Sequence, residues 1–275
     1  MEDARLTSDV ESKAGRAARN CTGEVPAKRR AFITCDPATT GNGFAMIPGM
    51  PSASRRGRFI TFEGLDGCGK TTQLERLGRV LRKEGLHFVA TREPGGTPAG
   101  EVIRNLLLDT ATIGLSPWTE LCLMFTSRVQ HVAEIIQPAL AHGDIVLCDR
   151  FTDSTEAYQG GGRKLGSTPV LELHRILCAD LQPDLTILMD SDIAASVERA
   201  RRRNHARIEA GEIDEGRFEK ENRAFFGRVR NKFLEIAKRE PQRVFLVDAR
   251  GTPDETHAKI VVAVRERLKL LTAPK

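Results

Sequence analysis

Gly64-Leu65-Asp66-Gly67-Cys68-Gly69-Lys70-Thr71 follows directly on the apolar run Arg58-Phe59-Ile60-Thr61-Phe62 and runs straight into a helical stretch expected over about 71–83. The spacing is G-x-x-x-x-G-K-[ST], and a strand before it with a helix after it is the setting that gives the motif its meaning. The glycines let the backbone close around a phosphate with its N–H groups turned inward, while the helix adds its positive N-terminal end. Gly64 to Thr72 is therefore read as an ATP-binding P-loop, with Lys70 on the β- and γ-phosphates and the Thr71 hydroxyl on Mg²⁺.

Outward from this loop, short apolar runs alternate with helical patterns. Strands are expected at 58–62, 87–90, 144–148, 185–189 and 243–247, and helices between them. Ser116 to Ala141 reads as one long helix, capped by Ser116 with Pro117 at its first position and kinked or broken by Pro138 in its last turn. A last helix is expected from about Asp254 to Leu270. The alternation implies a three-layer α/β/α fold around a five-stranded parallel sheet. The arginine-rich segment at about 200–217 is read as a helical lid.

Composition bounds the alternatives. The chain has 275 residues, 40% hydrophobic and 29% charged, with a net charge of +5. Nine basic and six acidic residues in 1–57 leave 33 basic against 31 acidic for the remainder, so no basic stripe for nucleic acid is indicated. The six cysteines, Cys21, Cys35, Cys68, Cys122, Cys148 and Cys178, form no C-x-x-C pair. No run reaches the ~18 apolar residues of a membrane helix. A soluble, cytoplasmic protein without a membrane or nucleic-acid partner is expected. Residues 1–57 carry few apolar runs and are expected to be a disordered extension. Met46 or Met50 offers a start just ahead of the first strand, and Glu2, Asp3, Asp9 and Glu11 speak against a transit peptide.

Four further stretches fall at or near strand ends, where an α/β sheet opens its crevice. They are Thr91-Arg92-Glu93-Pro94-Gly95-Gly96-Thr97, Phe125-Thr126-Ser127-Arg128, Cys148-Asp149-Arg150-Phe151 and Tyr158-Gln159-Gly160-Gly161-Gly162-Arg163. Phe125 and Arg128, three apart, share a helix face; Phe125 by itself reads more often as core. Three consecutive glycines argue against a stable helix, so the last stretch reads as a loop closing over a ligand.

Together with the P-loop, these stretches resemble thymidylate kinase over about residues 58–270. The resemblance implies phosphorylation of dTMP to dTDP with Mg-ATP, in dTTP biosynthesis, by a homodimer packed through long helices that include 116–141. It places Asp66, Arg92, Phe125, Arg128, Arg150, Tyr158 and Gln159 on dTMP. Phe125 would stack on thymine, Arg128 bond its carbonyl, Arg92 and Arg150 bind the acceptor phosphate, and Asp66 meet the 3′-hydroxyl. Asp149 would join Thr71 at the metal. Gly67 stands where one type of the family carries a P-loop arginine, so Arg199-Ala200-Arg201-Arg202-Arg203 and Asp214-Glu215-Gly216-Arg217 resemble the bacterial type, in which lid arginines supply that charge. Lys70, Arg92, Asp149, Arg203 and Arg217 form the expected catalytic set. Another nucleoside or nucleotide kinase of this fold and a non-catalytic ATP-binding protein are the alternatives.

Overall fold

The structure is a computed structural model that describes residues 56–112 and 114–271. The expected N-terminal extension lies outside the described residues save for Arg56 and Gly57. Five strands, β1 (Phe59–Glu63), β2 (Phe88–Arg92), β3 (Ile145–Asp149), β4 (Leu185–Asp190) and β5 (Val244–Asp248), form one sheet in the order β2-β3-β1-β4-β5. Every pairing is parallel. β1, β3 and β4 are buried almost throughout, which is why they read as unbroken apolar runs rather than as alternation.

Four of these strands end on a carboxylate, one residue beyond the apolar runs in the sequence. The ladder continues because each acid finds a partner. Glu63 accepts from the Phe151 N–H at 2.7 Å, Asp149 from the Thr71 hydroxyl at 2.8 Å, Asp190 from Arg230 and Asp248 from Arg250.

The helices are α1 (Lys70–Lys83), α2 (Pro98–Leu108), α3 (Pro117–His131), α4 (Gln137–His142), α5 (Thr152–Thr155), α6 (Ser167–Leu177), α7 (Ile193–Glu209), α8 (Arg223–Arg239) and α9 (Pro253–Leu268). Leu74, Leu77 and Leu81 of α1 and Ile260 and Val264 of α9 cover one set of sheet side chains, Ile60, Phe62, Leu147 and Ile187. Phe59, Val146 and Cys148 pack with Val132, Ile136 and Leu140. Leu188 and Val244 pack with Phe225, Phe226, Val229 and Phe233 of α8.

Two expectations need correction. The long helix 116–141 runs without a break but not as one α-helix: α3 ends at His131 and a π-helical turn, Val132–Ile136, leads into α4 with Pro138 in its first turn. Proline has no N–H to give, and the wider π turn absorbs the gap in the ladder ahead of it. The glycine stretch is not a loop. Glu156–Gly162 forms a π-helical segment, buried against α8. A Cβ on Gly162 would stand 2.5 Å from the Phe225 ring, and one on Gly161 would stand 2.8 Å from the Lys232 side chain. The glycines are there for close approach, not for freedom.

Candidate active site

β1 lies between β3 and β4, so the P-loop leaves the sheet at its centre, where strand order reverses and ligands bind in such folds. Gly69, at φ 99°, turns the chain into α1. Lys70 is buried and folds back on its own loop, donating to the carbonyls of Leu65 (2.9 Å) and Gly64 (3.2 Å). The Thr71 hydroxyl donates to Asp149 Oδ2 at 2.8 Å. Asp149 pairs in register with Arg92 across β3 and β2. Arg92 is half exposed and meets Glu101 at 3.0 Å.

Arg150, held at φ 73°, reaches back over the loop. It donates to Asp66 Oδ1 (2.7 Å), the Gly64 carbonyl (3.0 Å) and Ser154 Oγ (2.8 Å). Tyr158 donates its hydroxyl to Asp66 Oδ2 at 3.0 Å. Burial opposes the Asp66 charge, but Arg150 and Lys70 outweigh it and, with Arg203, hold its carboxyl well below the usual carboxylate range. Burial foremost, with the Asp66 charge, pushes the Tyr158 phenol up against the pull of Arg150. Behind this group, Glu63 is fully buried beside Asp153, and burial followed by that neighbouring charge pushes its carboxyl up to about 8. Burial also raises the Cys68 thiol, which stands within the loop beside Gly64.

Beyond Asp66 an open pocket of about 560 Å³ is lined by Arg104, Met124, Arg128, Phe151, Gln159 and Phe218, among others. Arg128 is almost fully buried and over-determined. It donates Nε to Glu93 Oε2 (2.7 Å) and Nη2 to Thr155 (2.8 Å), and its guanidinium lies over Phe125 at 4.8 Å and Phe151 at 5.2 Å. Its Nη1 is buried without a partner. His131, missed in the sequence, donates Nδ1 to Glu93 Oε1 (2.9 Å) and has Thr91 Oγ1 2.6 Å from its Nε2. Burial works against the Glu93 charge, while Arg128 and His131 pull its carboxyl down.

Phe125 does not line the pocket. One residue is about 100° of helix turn, and it is Met124 that faces the pocket while Phe125 lies beneath the guanidinium. The assignment of Phe125 as the stacking ring is corrected accordingly: Phe151, Tyr158 and Phe218 are the pocket's aromatic lining.

The lid arginines divide. Arg199, part of the arginine run read from the sequence but outside the expected catalytic set, donates Nε to the Gly67 carbonyl at 2.7 Å. Arg203 is exposed on α7, close enough to Asp66 to lower its pKa, and stands 4.0 Å from Glu219. Burial and then Asp66 raise Glu219 to about 7. Arg217 is placed elsewhere. It donates to the Leu107 carbonyl (2.5 Å) and Glu120 Oε2 (2.8 Å) and lies over the Phe218 ring at 4.6 Å. Its charge is answered by a buried carboxylate, which revises its expected place beside ATP. Arg201 donates to the Glu219 carbonyl, and Arg202 sits on the solvated face near Glu198.

The P-loop and the pocket beside it thus meet at Asp66, Arg150 and Tyr158. A family model described as thymidylate kinase matches residues 62–260. A thymidylate kinase of Pelobacter propionicus is 48% identical over 208 residues, covering 76% of this chain and 94% of that one. One of Pseudomonas syringae pv. tomato is 47% identical over 214 residues, covering 78% and 98%. The crystal structure of thymidylate kinase from Ehrlichia chaffeensis superposes with a TM-score of 0.59 at 33% identity, over 76% of this chain and 99% of that chain. With the family model covering residues 62–260 and relatives this similar over most of the chain, the chain belongs to the thymidylate kinase family.

Proposed function

We propose that the protein transfers the γ-phosphoryl group of ATP to the phosphate of dTMP, giving dTDP, on a kinase unit spanning residues 58–270 with its lid at about 200–217. The observation that carries this reading is the unpaired Nη1 of Arg128, buried in a pocket that opens on the P-loop through Asp66, Arg150 and Tyr158. An orphaned buried guanidinium donor is costly unless a ligand oxygen meets it, and a pyrimidine carbonyl has that chemistry.

Lys70 exchanges the carbonyls of Gly64 and Leu65 for phosphate oxygens when ATP enters. Thr71 and Asp149 set a hydroxyl and a carboxylate side by side, a hard oxygen pair that suits Mg²⁺. When bound, that ion neutralises charge on the β- and γ-oxygens. Arg92 and Arg150 stand at adjacent strand ends to take the acceptor phosphate, whose anionic oxygen attacks without a general base. Arg203, rather than Arg217, answers charge that develops on the transferring group, a reading supported by its nearness to Asp66.

Val102 and Leu106 on α2, and Trp118 and Val129 on α3, are apolar side chains left exposed. This supports a homodimer packed through these helices. Among the described residues no helix is long and apolar enough to cross a membrane.

The test is ADP release with Mg-ATP and dTMP, dUMP, dCMP, UMP or thymidine as acceptor. dTMP turnover abolished by Lys70→Ala and by Arg150→Ala is expected. dUMP turnover should be lower by roughly 10- to 200-fold, since one methyl is worth only about 1–3 kcal/mol. Turnover of thymidine alone would replace this reading with a nucleoside kinase.

A further inference from the structure

Glu120 sits on α3, 1% exposed, and collects three donor side chains from two distant parts of the chain. Gln159 Nε2 lies 2.7 Å from its Oε1, Arg163 donates Nε at 3.1 Å to Oε1 and Nη2 at 3.1 Å to Oε2, and Arg217 Nη2 lies 2.8 Å from Oε2. The bond to Gln159 decides the orientation of that amide. A side-chain amide can present either its N–H₂ or its C=O in a given direction. A carboxylate carrying two guanidinium groups accepts and has nothing to donate, so the Gln159 nitrogen must face Glu120. Its Oε1 is thereby turned the other way. That oxygen is buried and has no partner, and Gln159 lines the acceptor pocket. Two residues that line the pocket therefore each carry an unmet polar atom, an acceptor at Gln159 Oε1 and a donor at Arg128 Nη1.

We infer that Glu120 is a specificity-determining positioning residue: by fixing the Gln159 amide it makes the pocket accept a ring N–H beside a ring carbonyl. This inference rests on the pyrimidine nucleotide being the acceptor. Thymine and uracil present that N–H and carbonyl pair. Cytosine presents a bare ring nitrogen and an amino group, so both buried groups in the protein meet like with like. An isolated glutamine would turn its amide over and accommodate either base. Glu120 prevents the turn, because the flipped amide would bring oxygen against carboxylate. The discrimination against cytosine is thus set by a residue that need not touch the base.

The experiment is the ratio of kcat/KM for dTMP over dCMP in Glu120→Gln, Glu120→Asp, Gln159→Leu and the Glu120→Gln/Gln159→Leu double variant, with thermal melts alongside. Glu120→Gln supplies an N–H with which a flipped Gln159 can pair, so the ratio should fall about tenfold or more, mainly through KM. Glu120→Asp keeps the acceptor character and should keep the ratio, whatever it does to melting temperature. In the double variant the ratio should match Gln159→Leu alone, since Glu120 acts through that side chain. The inference is overturned if Glu120→Gln weakens both acceptors equally, or if the two effects on the ratio simply multiply. If Glu120→Gln does not fold, an unchanged ratio in Gln159→Leu overturns it equally well. A wild-type protein that phosphorylates neither nucleotide would instead remove the functional reading on which the inference stands.

Discussion

A Cβ on Gly67 would stand 2.1 Å from the carbonyl oxygen of Ser196, so a P-loop arginine is shut out at this position while α7 stays in place. The missing side chain is what lets α7 pack on the loop, where Arg199 reaches the Gly67 carbonyl and Arg203 comes under the influence of Asp66. The bare Gly67 and the arginine-bearing α7 packed against it are two sides of one steric fact. The two lid arginines named from the sequence should then fail differently on substitution. Arg203→Ala should lower kcat by about 10²-fold or more, the scale of one lost donor to a developing anion. Arg217→Ala should leave kcat nearly intact and raise the dTMP KM on the order of fivefold, the scale of one hydrogen bond. Steady-state kinetics separate the two, and a collapse of kcat in Arg217→Ala with none in Arg203→Ala would reverse the assignment.

Elements that owe their form to local sequence were legible in it. β1, the P-loop and α1 follow from apolar run, glycines and helical pattern. Ser116 caps α3, accepting the Thr119 N–H at 3.1 Å, with Pro117 in the first turn as the sequence indicates. Elements shaped by distant partners were not legible. Glu120 matters because Arg217 lies on it from 97 residues away, and His131 because of Glu93, 38 residues back. The π-helical segment Glu156–Gly162 is the clearest case. Its glycines read locally as a loop, yet it is α8, far along the chain, that fixes their conformation through Phe225, Val229 and Lys232. Gly162 has no left-handed φ, so its substitution tests packing alone. Gly162→Ala would drive a methyl into Phe225 and Val229 and should destabilise by roughly 1–3 kcal/mol, the usual cost of overpacking. Urea unfolding measures this. A variant as stable as the parent would mean the segment is held by its ends and not by contact with α8.

At the scale of the whole molecule, one buried carboxyl at the end of the central strand makes stability depend on pH. Glu63 rises from an ordinary 4.5 to about 8, first through burial and then through Asp153, against the opposing pull of the Ser154 hydroxyl, Arg150 and the Phe151 N–H. A folded value above the unfolded one means that the folded chain holds this proton more tightly. The resulting stability is complete below about pH 4.5 and is lost as pH rises through about 8, at about 1.4 kcal/mol per pH unit where only the folded state is protonated. Glu219, raised to about 7, acts in the same direction over a lower window. Asp66, Glu93 and Glu215 are shifted down, so they add stability that is lost only on acidification. Glutamine reproduces the protonated form, with Oε1 for the Phe151 N–H and an N–H for Ser154. Glu63→Gln should therefore match the parent below about pH 4.5 and gain on it up to about pH 8, above which the gap levels off. At roughly 2–4 °C per kcal/mol for a domain of this size, the gap in melting temperature should reach several degrees. Comparing the two proteins at each pH cancels Glu219 and the histidines, which both share. Parallel melting curves from pH 5 to 9 would mean that Glu63 is ionised in the fold and that Arg150 outweighs its burial.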